Sequence, residues 1–522
     1  MKKLVGCLLL LMVAGLAMPP AYAAELRVTG FIDNVFPRWD LNTSSVDNDP
    51  TVNHDEIFYG RTRMRNFFNF IANDNLRGVF AIEIDQSYGA PSADRPGSGC
   101  VEGEGTYAFE QCGFDNGIDN NAIEIKQVYV DFRVPQLPIG NRWRLGGLPF
   151  NVTPLHSLLL YSMDAGGGDV RFDFSDQVSL MLYYVQLEED LDRFRGSAKV
   201  GEDYITGGTL LLKPISGLDL HLLGIYNHGQ APFGDSLTGG GGPFNGIASD
   251  SLNVETESRY YLGFDARYRF GNTTIEPGFI YLLGDRKFSS TSAALTGVRD
   301  TDFRAFQGHL IAQHAVGPWL LSAKGVYVSG DEAGDDINNR GIGNRSNVHG
   351  FRYLGVDTSH FYGEWFEILG KSDVDSTGNR TFRRMGETAH LERFGWIIFG
   401  GKAEYKYTDQ LVLTGAAGGF WTAEKTGCPA VFQVATTPQT CAAAGSPQTG
   451  TANSPNRRRA LNFTGDSHFV GWEVNAGLRY TIMPGLTWTP LLAYADYGGA
   501  LDTNDRKSMD AWAFVNRLIY IF

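Results

Sequence analysis

Hydrophobic and polar residues alternate with a period of two along most of this chain. From residue 58 to residue 70, large apolar side chains occupy one face and charged or polar ones the other: Phe58, Met64, Phe68 and Phe70 against Arg61, Arg63, Arg65 and Asn69. Successive side chains of a β-strand point to opposite faces of its sheet. Each segment runs for about 9–11 residues, the length of a strand that crosses a membrane. The pattern therefore predicts strands with one face toward lipid and the other toward a polar interior.

Short turns and long polar segments alternate between the predicted strands. Tight turns are predicted at 72–75, 271–272, 408–409 and 483–485, whereas segments such as 331–393 are long. We count about 18 strands, an even number as in bacterial outer-membrane barrels. They start near residues 25, 57, 76, 122, 142, 168, 177, 203, 218, 258, 273, 302, 319, 394, 411, 467, 486 and 509. The chain is thus predicted to be all-β, a transmembrane antiparallel β-barrel with short periplasmic turns and long extracellular loops.

The N-terminus predicts export from the cytoplasm. Lys2 and Lys3 precede an apolar run from Leu8 to Ala17, and Ala21-Tyr22-Ala23 follows it. A basic start, an apolar run and an A-x-A ending are typical of a secretory signal peptide. The run is shorter than the ~20 residues that a membrane-spanning helix needs. We therefore predict a signal peptide at residues 1–23 and one barrel domain at residues 24–522.

Composition agrees with many strands and turns, and it narrows the possible functions. The chain of 522 residues contains 64 Gly, 34 Phe and 23 Tyr, and its net charge is −14. Such a negative charge argues against nucleic acid as a partner. No metalloprotease or nucleophile-elbow motif occurs, so we expect neither an enzyme nor a cofactor. His309 and His314 lie beside a predicted turn, and we assign no metal site to them.

Four cysteines remain once the signal peptide, with Cys7, is removed. They form two close pairs within segments rich in loop-forming residues: Cys100 with Cys112, and Cys428 with Cys441. An even number of closely spaced cysteines in an exported chain predicts disulfides. We expect both disulfides in loops on the outer side. A metal site is the alternative, but it lacks the CxxC spacing or neighbouring histidine of such sites.

The polar faces of the strands are expected to line a lumen, because a barrel of about 16–18 strands is wide enough for an aqueous channel. The predicted lining residues include Arg61, Arg63, Arg65, Glu83, Asp85, Asp131, Arg144, Asp265, Arg267, Lys402, Glu404 and Arg479. Three arginines in register on one strand repel one another unless anions lie nearby. The arginine ladder is therefore either part of the wall, with the acids of the next strand, or a track that favours anions.

The chain ends in an alternating strand whose last residue is aromatic. One face carries the apolar side chains Trp512, Phe514, Leu518, Tyr520 and Phe522. Aromatic residues at the last and third-last positions resemble the signal that the outer-membrane assembly machinery reads. We therefore predict that Tyr520 and Phe522 are an assembly signal in a protein of the bacterial outer membrane, with both termini in the periplasm. Outer-membrane lipid and lipopolysaccharide would contact the apolar face.

Two segments resemble a known family. Residues 126–132, which read KQVYVDF, and residues 144–150, which read RLGGLPF, resemble the alginate-export-like group of outer-membrane porins. The resemblance implies a monomeric 18-stranded barrel with an arginine-rich lumen. It also implies that Gln127, Tyr129, Asp131 and Arg144 face the lumen.

The function that we expect is that of a porin, a water-filled channel for passive diffusion of small or anionic solutes. Two alternatives remain open. The barrel could export a polyanionic polysaccharide, which a neighbouring polymer-synthesis operon would favour. It could also be a sheath, adhesin or receptor for a partner protein, which copurification of a cytochrome would favour.

Overall fold

The computed structural model describes residues 24–41, 56–58, 60–88, 123–157, 159–190, 201–229, 254–288, 300–330, 347–354, 365–370, 394–425, 432–434, 437–439, 467–502 and 510–522. The predicted signal peptide and all four cysteines of the predicted disulfides lie outside these ranges. None of the described helices is both long and apolar enough to cross a membrane.

Eighteen long strands of the described chain form one antiparallel sheet. We number them in chain order: β1 (Glu25–Leu41), β2 (Gly60–Asn73), β3 (Leu76–Tyr88), β4 (Glu124–Phe132), β5 (Gly140–Asn151), β6 (Ser162–Ser175), β7 (Val178–Asp190), β8 (Gly201–Leu212), β9 (Leu218–Gly229), β10 (Val254–Phe270), β11 (Thr273–Phe288), β12 (Asp300–Val316), β13 (Trp319–Val328), β14 (Trp396–Lys406), β15 (Leu411–Trp421), β16 (Phe469–Met483), β17 (Leu486–Tyr497) and β18 (Asp510–Ile521). Short additional strands are Glu56–Phe58, Asn347–Val348, Phe432–Val434 and Thr437–Gln439, and Gly499–Leu501 is a 3-10 helix.

The sheet closes because its first and last strands pair. β1 pairs with β2 along one edge and with β18 along the other, from Phe31 opposite Ile521 to Leu41 opposite Ala511. The backbone of Phe522 donates to the carbonyl of Gly30 at 3.0 Å and accepts from its N–H at 2.9 Å. A closed sheet satisfies its backbone hydrogen bonds internally. The prediction of an antiparallel barrel of about 18 strands is confirmed.

The strand positions agree with the sequence pattern. The largest difference is at β6, which was expected near residue 168 and begins at Ser162. Eight short connections lie at one end of the barrel, at 74–75, 133–139, 176–177, 213–217, 271–272, 317–318, 407–410 and 484–485. We call this end, which also holds residues 24 and 522, the short-turn end. The longer connections leave the opposite end, which we call the loop end.

The outward face of the barrel carries aromatic rings near both ends. Toward the loop end, Tyr184, Tyr204, Tyr226 and Tyr260 form a row across four neighbouring strands, with ring centroids 5.7, 6.0 and 4.8 Å apart. Near the short-turn end, Trp143 lies 6.3 Å from Phe132 and 5.8 Å from Phe172. Between the rows, aliphatic side chains such as Leu262 remain about half exposed, at 52% for Leu262. This surface has the pattern of a membrane barrel, an apolar band between aromatic girdles.

The buried core lies inside the barrel, toward the loop end. Its members include inward side chains of the wall, such as Val185, Ile280 and Leu282. They also include Val152 and residues 159–161 from one connection, and described residues of 351–354 and 366–369 from another. The interior of this barrel is therefore partly filled by its own chain.

Candidate functional site

The predicted arginine ladder lies on the inward face of β2, and the acids of β3 lie opposite. The strand register pairs Arg63 with Asp85 and Arg65 with Glu83. Arg63 Nε donates to Asp85 at 2.7 Å, Arg61 lies 3.3 Å from the same carboxylate, and Arg65 contacts Glu83. Opposite charges directly across a strand pair stabilise the sheet. The repulsion expected within the ladder is thus offset by carboxylates of the neighbouring strand.

Part of this charged wall remains open to solvent. Arg61 and Glu83 are each 1% exposed, but the side chains of Arg63 and Arg65 are 19% and 23% exposed. Lys126 adds a fourth cation, 3.1 Å from Glu83 and 3.5 Å from Asp164. Glu124 lies opposite Glu83 in the register of β3 and β4, so the cluster holds four cations and four carboxylates.

A β-bulge in β4 explains why the sequence pattern misses Lys126. The register between β3 and β4 shifts at Ala81 and Ile82, so that two successive residues of β4, Lys126 and Gln127, turn the same way. A bulge of this kind breaks the strict alternation on which the prediction depends. Gln127 Nε2 donates to Asp164 at 2.7 Å, beside Lys126.

The other predicted lining residues occupy separate parts of the wall. Asp131 is 4% exposed and lies between Arg77 and Arg142 near the short-turn end, and Arg144 pairs with Asp169. Tyr129 packs against the buried core. Lys402 lies 3.1 Å from Glu404 on β14, Arg479 is exposed near the turn at 484–485, and Asp265 and Arg267 lie on β10. The predicted lining residues Arg61, Arg63, Arg65, Glu83, Asp85 and Gln127 come together in one cluster.

The connection from β5 to β6 crosses the lumen. Thr209 of β8 donates to the carbonyl of Val152 at 3.1 Å, and Gln307 of β12 donates to the carbonyl of Leu159 at 3.3 Å. Because β12 lies six strands beyond β6 around the wall, the connection can reach it only through the interior. We call described residues 152–157 and 159–161 the first inward loop.

His156 fastens the first inward loop to the wall. Its Nδ1 lies 2.7 Å from Asp265 of β10, and its Nε2 lies 3.3 Å from Glu276 of β11. Burial disfavours the charged imidazolium, but the hydrogen bonds to the two carboxylates outweigh it and raise the pKa of His156 to about 9. Arg267 also contacts Glu276, so this carboxylate is held from two sides.

A second connection, from β13 to β14, also enters the lumen. We call its described segments, residues 349–354 and 365–370, the second inward loop. Tyr261 of β10 donates to the carbonyl of Arg352 at 2.8 Å, and Arg259 donates to that of Tyr353 at 3.3 Å. Leu354 N donates to Leu160 O at 3.3 Å, so the two inward loops are joined.

The segment 365–370 is held by a buried carboxylate of β16. Glu473 is 0% exposed, and its two oxygens accept hydrogen bonds from the backbone N–H groups of Glu367, Ile368 and Leu369 at 2.6–3.1 Å. Backbone N–H groups arranged around a carboxylate offset part of its lost hydration. The wall facing this segment carries glycines, which leave room for the ring of Phe366. A Cβ on Gly400 or Gly418 would collide with that ring.

The sequence pattern misses both inward loops, because the alternation within strands does not indicate whether the connection between two strands enters the lumen. One local signal exists. Residues 158–161, which read LLLY, are apolar in a connection that should otherwise be polar, and the described part of this run is fully buried. The arrangement produces a barrel whose lumen is narrowed at the loop end and lined with charge beside β2 to β4.

Comparisons with known proteins find structural similarity at low sequence identity. No family profile and no curated protein matches the chain. The fold is similar to OccAB4 of Acinetobacter baumannii, with a TM-score of 0.48, 9% identity and coverage of 97% of this chain and 100% of that one. It is also similar to the outer membrane protein OprD from Pseudomonas aeruginosa (TM-score 0.46, 10% identity, coverage of 97% and 95%). The outer membrane protein opdK from the same organism is also similar, with a TM-score of 0.47, 12% identity and coverage of 95% of this chain and 98% of that one. The resemblance to the alginate-export-like group stays a prediction from the sequence.

Proposed function

We propose that the protein is an outer-membrane porin that passes small solutes by passive diffusion through a narrowed lumen. The observation that carries this proposal is the crossing of the lumen by two inward loops that are bonded to the wall. About 18 strands alone would enclose a wide aqueous channel. The inward loops reduce that width, so small solutes fit the path better than a polysaccharide chain does.

The surroundings of the barrel follow from the same proposal. The apolar band and its aromatic girdles contact outer-membrane lipid and lipopolysaccharide. The short-turn end faces the periplasm, and the loop end faces outward. Tyr520 and Phe522, which are 44% and 39% exposed at the seam between β18 and β1, are presented to the assembly machinery. The described residues of the lumen are explained by transport, without a catalytic role.

The arginines of the charged cluster of β2, β3 and β4 favour anions only weakly, because Arg63 and Arg65 are partly open to the lumen but are paired with carboxylates. Changing Arg61, Arg63 and Arg65 together to Gln leaves Lys126 as the one remaining cation of the cluster, beside the carboxylates of Glu83, Asp85, Glu124 and Asp164. We expect a weak anion preference in the native channel, declining with salt, and a shift toward cations in the triple variant. Charges act over about 8–10 Å at physiological salt, so those at the narrowest part dominate. Reversal potentials in a salt gradient across a planar bilayer measure both effects.

The matched control is Arg304→Gln. Arg304 lies on the outward face of β12, with its side chain 58% exposed, and its removal should leave the reversal potential unchanged. A strong cation preference of the native channel would contradict the proposed role of the arginines. An unchanged potential in the triple variant would mean that the ladder only stabilises the wall.

A further inference from the structure

Two histidines and an aspartate converge where the first inward loop meets the wall. A nitrogen or oxygen atom of each of His156, Asp265 and His309 lies within 4.8 Å of the others. The Nδ1 of His156 lies 2.7 Å and the Nε2 of His309 lies 3.8 Å from the same oxygen, Oδ1 of Asp265. Imidazole nitrogens and a carboxylate are the ligands that Zn²⁺ and similar ions prefer in proteins.

The backbone leaves room for this convergence. Asp265, Gly278 and His309 are register partners across β10, β11 and β12. A Cβ on Gly278 would occupy the position of the His309 ring. Because residue 278 is a glycine, His309 can lean across β11 toward Asp265 on the far side.

The second nitrogen of His156 is held in the way that metal-binding histidines usually are. Its Nε2 faces Glu276 at 3.3 Å, and Glu276 is in turn held by Arg267. A carboxylate on the far nitrogen fixes the tautomer and the orientation of a ligand histidine. Nδ1 is thereby directed to the side of Asp265 and His309.

Asp265 also retains an acceptor atom that could bind a further ligand. This residue is 0% exposed, and its Oδ2 has no hydrogen-bond partner among the described residues. Glu276 is balanced by Arg267, and Lys324 of β13 lies 4.6 Å from the ring of Trp365. His221, directly opposite Asp265 in the register of β9 and β10, adds another imidazole to the wall.

We propose that His156, Asp265 and His309 bind a divalent transition-metal ion of the Zn²⁺ class, with Glu276 as the positioning residue of His156. The ion takes the place of the proton between His156 and Asp265. It fastens the first inward loop to β10 and β12. Water or His221 completes the coordination. This site is independent of whether the lumen conducts solutes.

The test measures Zn²⁺ bound to the folded, full-length mature barrel in detergent, purified without a polyhistidine tag. After incubation with Zn²⁺ and gel filtration, elemental analysis should find one ion per native chain. His309→Gln and Asp265→Asn should lose it, and Glu276→Gln should bind about 10- to 100-fold more weakly. His314→Gln is the control, because His314 is an exposed residue of the same strand that hydrogen-bonds Thr273 instead.

Gly278→Ala provides a variant that keeps every ligand but displaces His309, and it should bind Zn²⁺ more weakly than the native chain. Heat-modifiable gel mobility shows which variants retain the folded barrel. Absence of stoichiometric Zn²⁺ in the folded native protein would overturn the proposal. Equal binding by folded native and His309→Gln proteins, or an equal loss in His314→Gln, would overturn it as well.

Discussion

Glu473→Ala should release the second inward loop and give larger, noisier single-channel currents than the native protein. The buried carboxylate accepts four hydrogen bonds from three backbone N–H groups of residues 367–369. At a net contribution of about 1 kcal/mol for each of the three N–H groups, loss of these hydrogen bonds costs about 3 kcal/mol. Loss of about 3 kcal/mol raises the population of the detached segment roughly 100-fold. Planar-bilayer recordings of the purified variant measure the change.

Glu404→Gln is the matched control for this variant. Glu404 also carries an inward carboxylate, but it pairs with Lys402 at 3.1 Å on β14. Its neutralisation should alter selectivity slightly and leave the size and noise of the current steps unchanged. Equal currents from native and Glu473→Ala channels would show that residues 365–370 do not restrict the path.

Glu257→Gln should lower the stability of the folded barrel strongly. Glu257, Arg259 and Arg286 are 1–2% exposed, and the carboxylate lies between the two guanidinium groups, 2.8 Å from Nε of Arg259. Removal of one partner from a buried ion pair costs about 3–5 kcal/mol, because charge is left buried without its counter-ion. Arg259 also holds Tyr353, so the second inward loop should loosen. The temperature at which heat-modifiable mobility is lost measures stability.

Asp302→Asn is the control for the loss of an ion pair. Asp302 and Arg304 lie 3.5 Å apart with side chains 49% and 58% exposed. Exposed pairs contribute about 0–1 kcal/mol, so this variant should unfold close to the native temperature. If Glu257→Gln unfolds at the same temperature as Asp302→Asn or at a higher one, the ion pairs of Glu257 with Arg259 and Arg286 do not stabilise the barrel.

The strands could be predicted from the sequence because their signals are local. Alternation of apolar and polar residues and turn-forming pairs such as Gly271-Asn272 depend on neighbours in the chain. These local signals predicted the number of strands and the starting positions of most of them. The register could be anticipated only in part: Glu83 and Asp85 were expected on the strand next to the ladder, and the structure adds their pairing with Arg65 and Arg63.

The interior could not be predicted, because it depends on contacts between distant segments. His156, Asp265 and His309 are far apart in the chain, and the sequence assigned no metal site to His309. Only the register across Gly278 shows why His309 can approach Asp265. Glu473 looked like an ordinary wall residue, since nothing in β16 indicates that backbone N–H groups of residues 367–369 surround it.

The most direct test of the central claim is the size of neutral polymer that enters the native channel in a planar bilayer. A lumen narrowed by two inward loops should conduct ions in discrete steps, and only the smallest polymers should enter and lower the conductance. Larger polymers, which would enter a barrel of about 18 strands without inward loops, should be excluded from the native channel. Folded protein that inserts without conducting, or that admits large polymers as readily as small ones, would contradict the account.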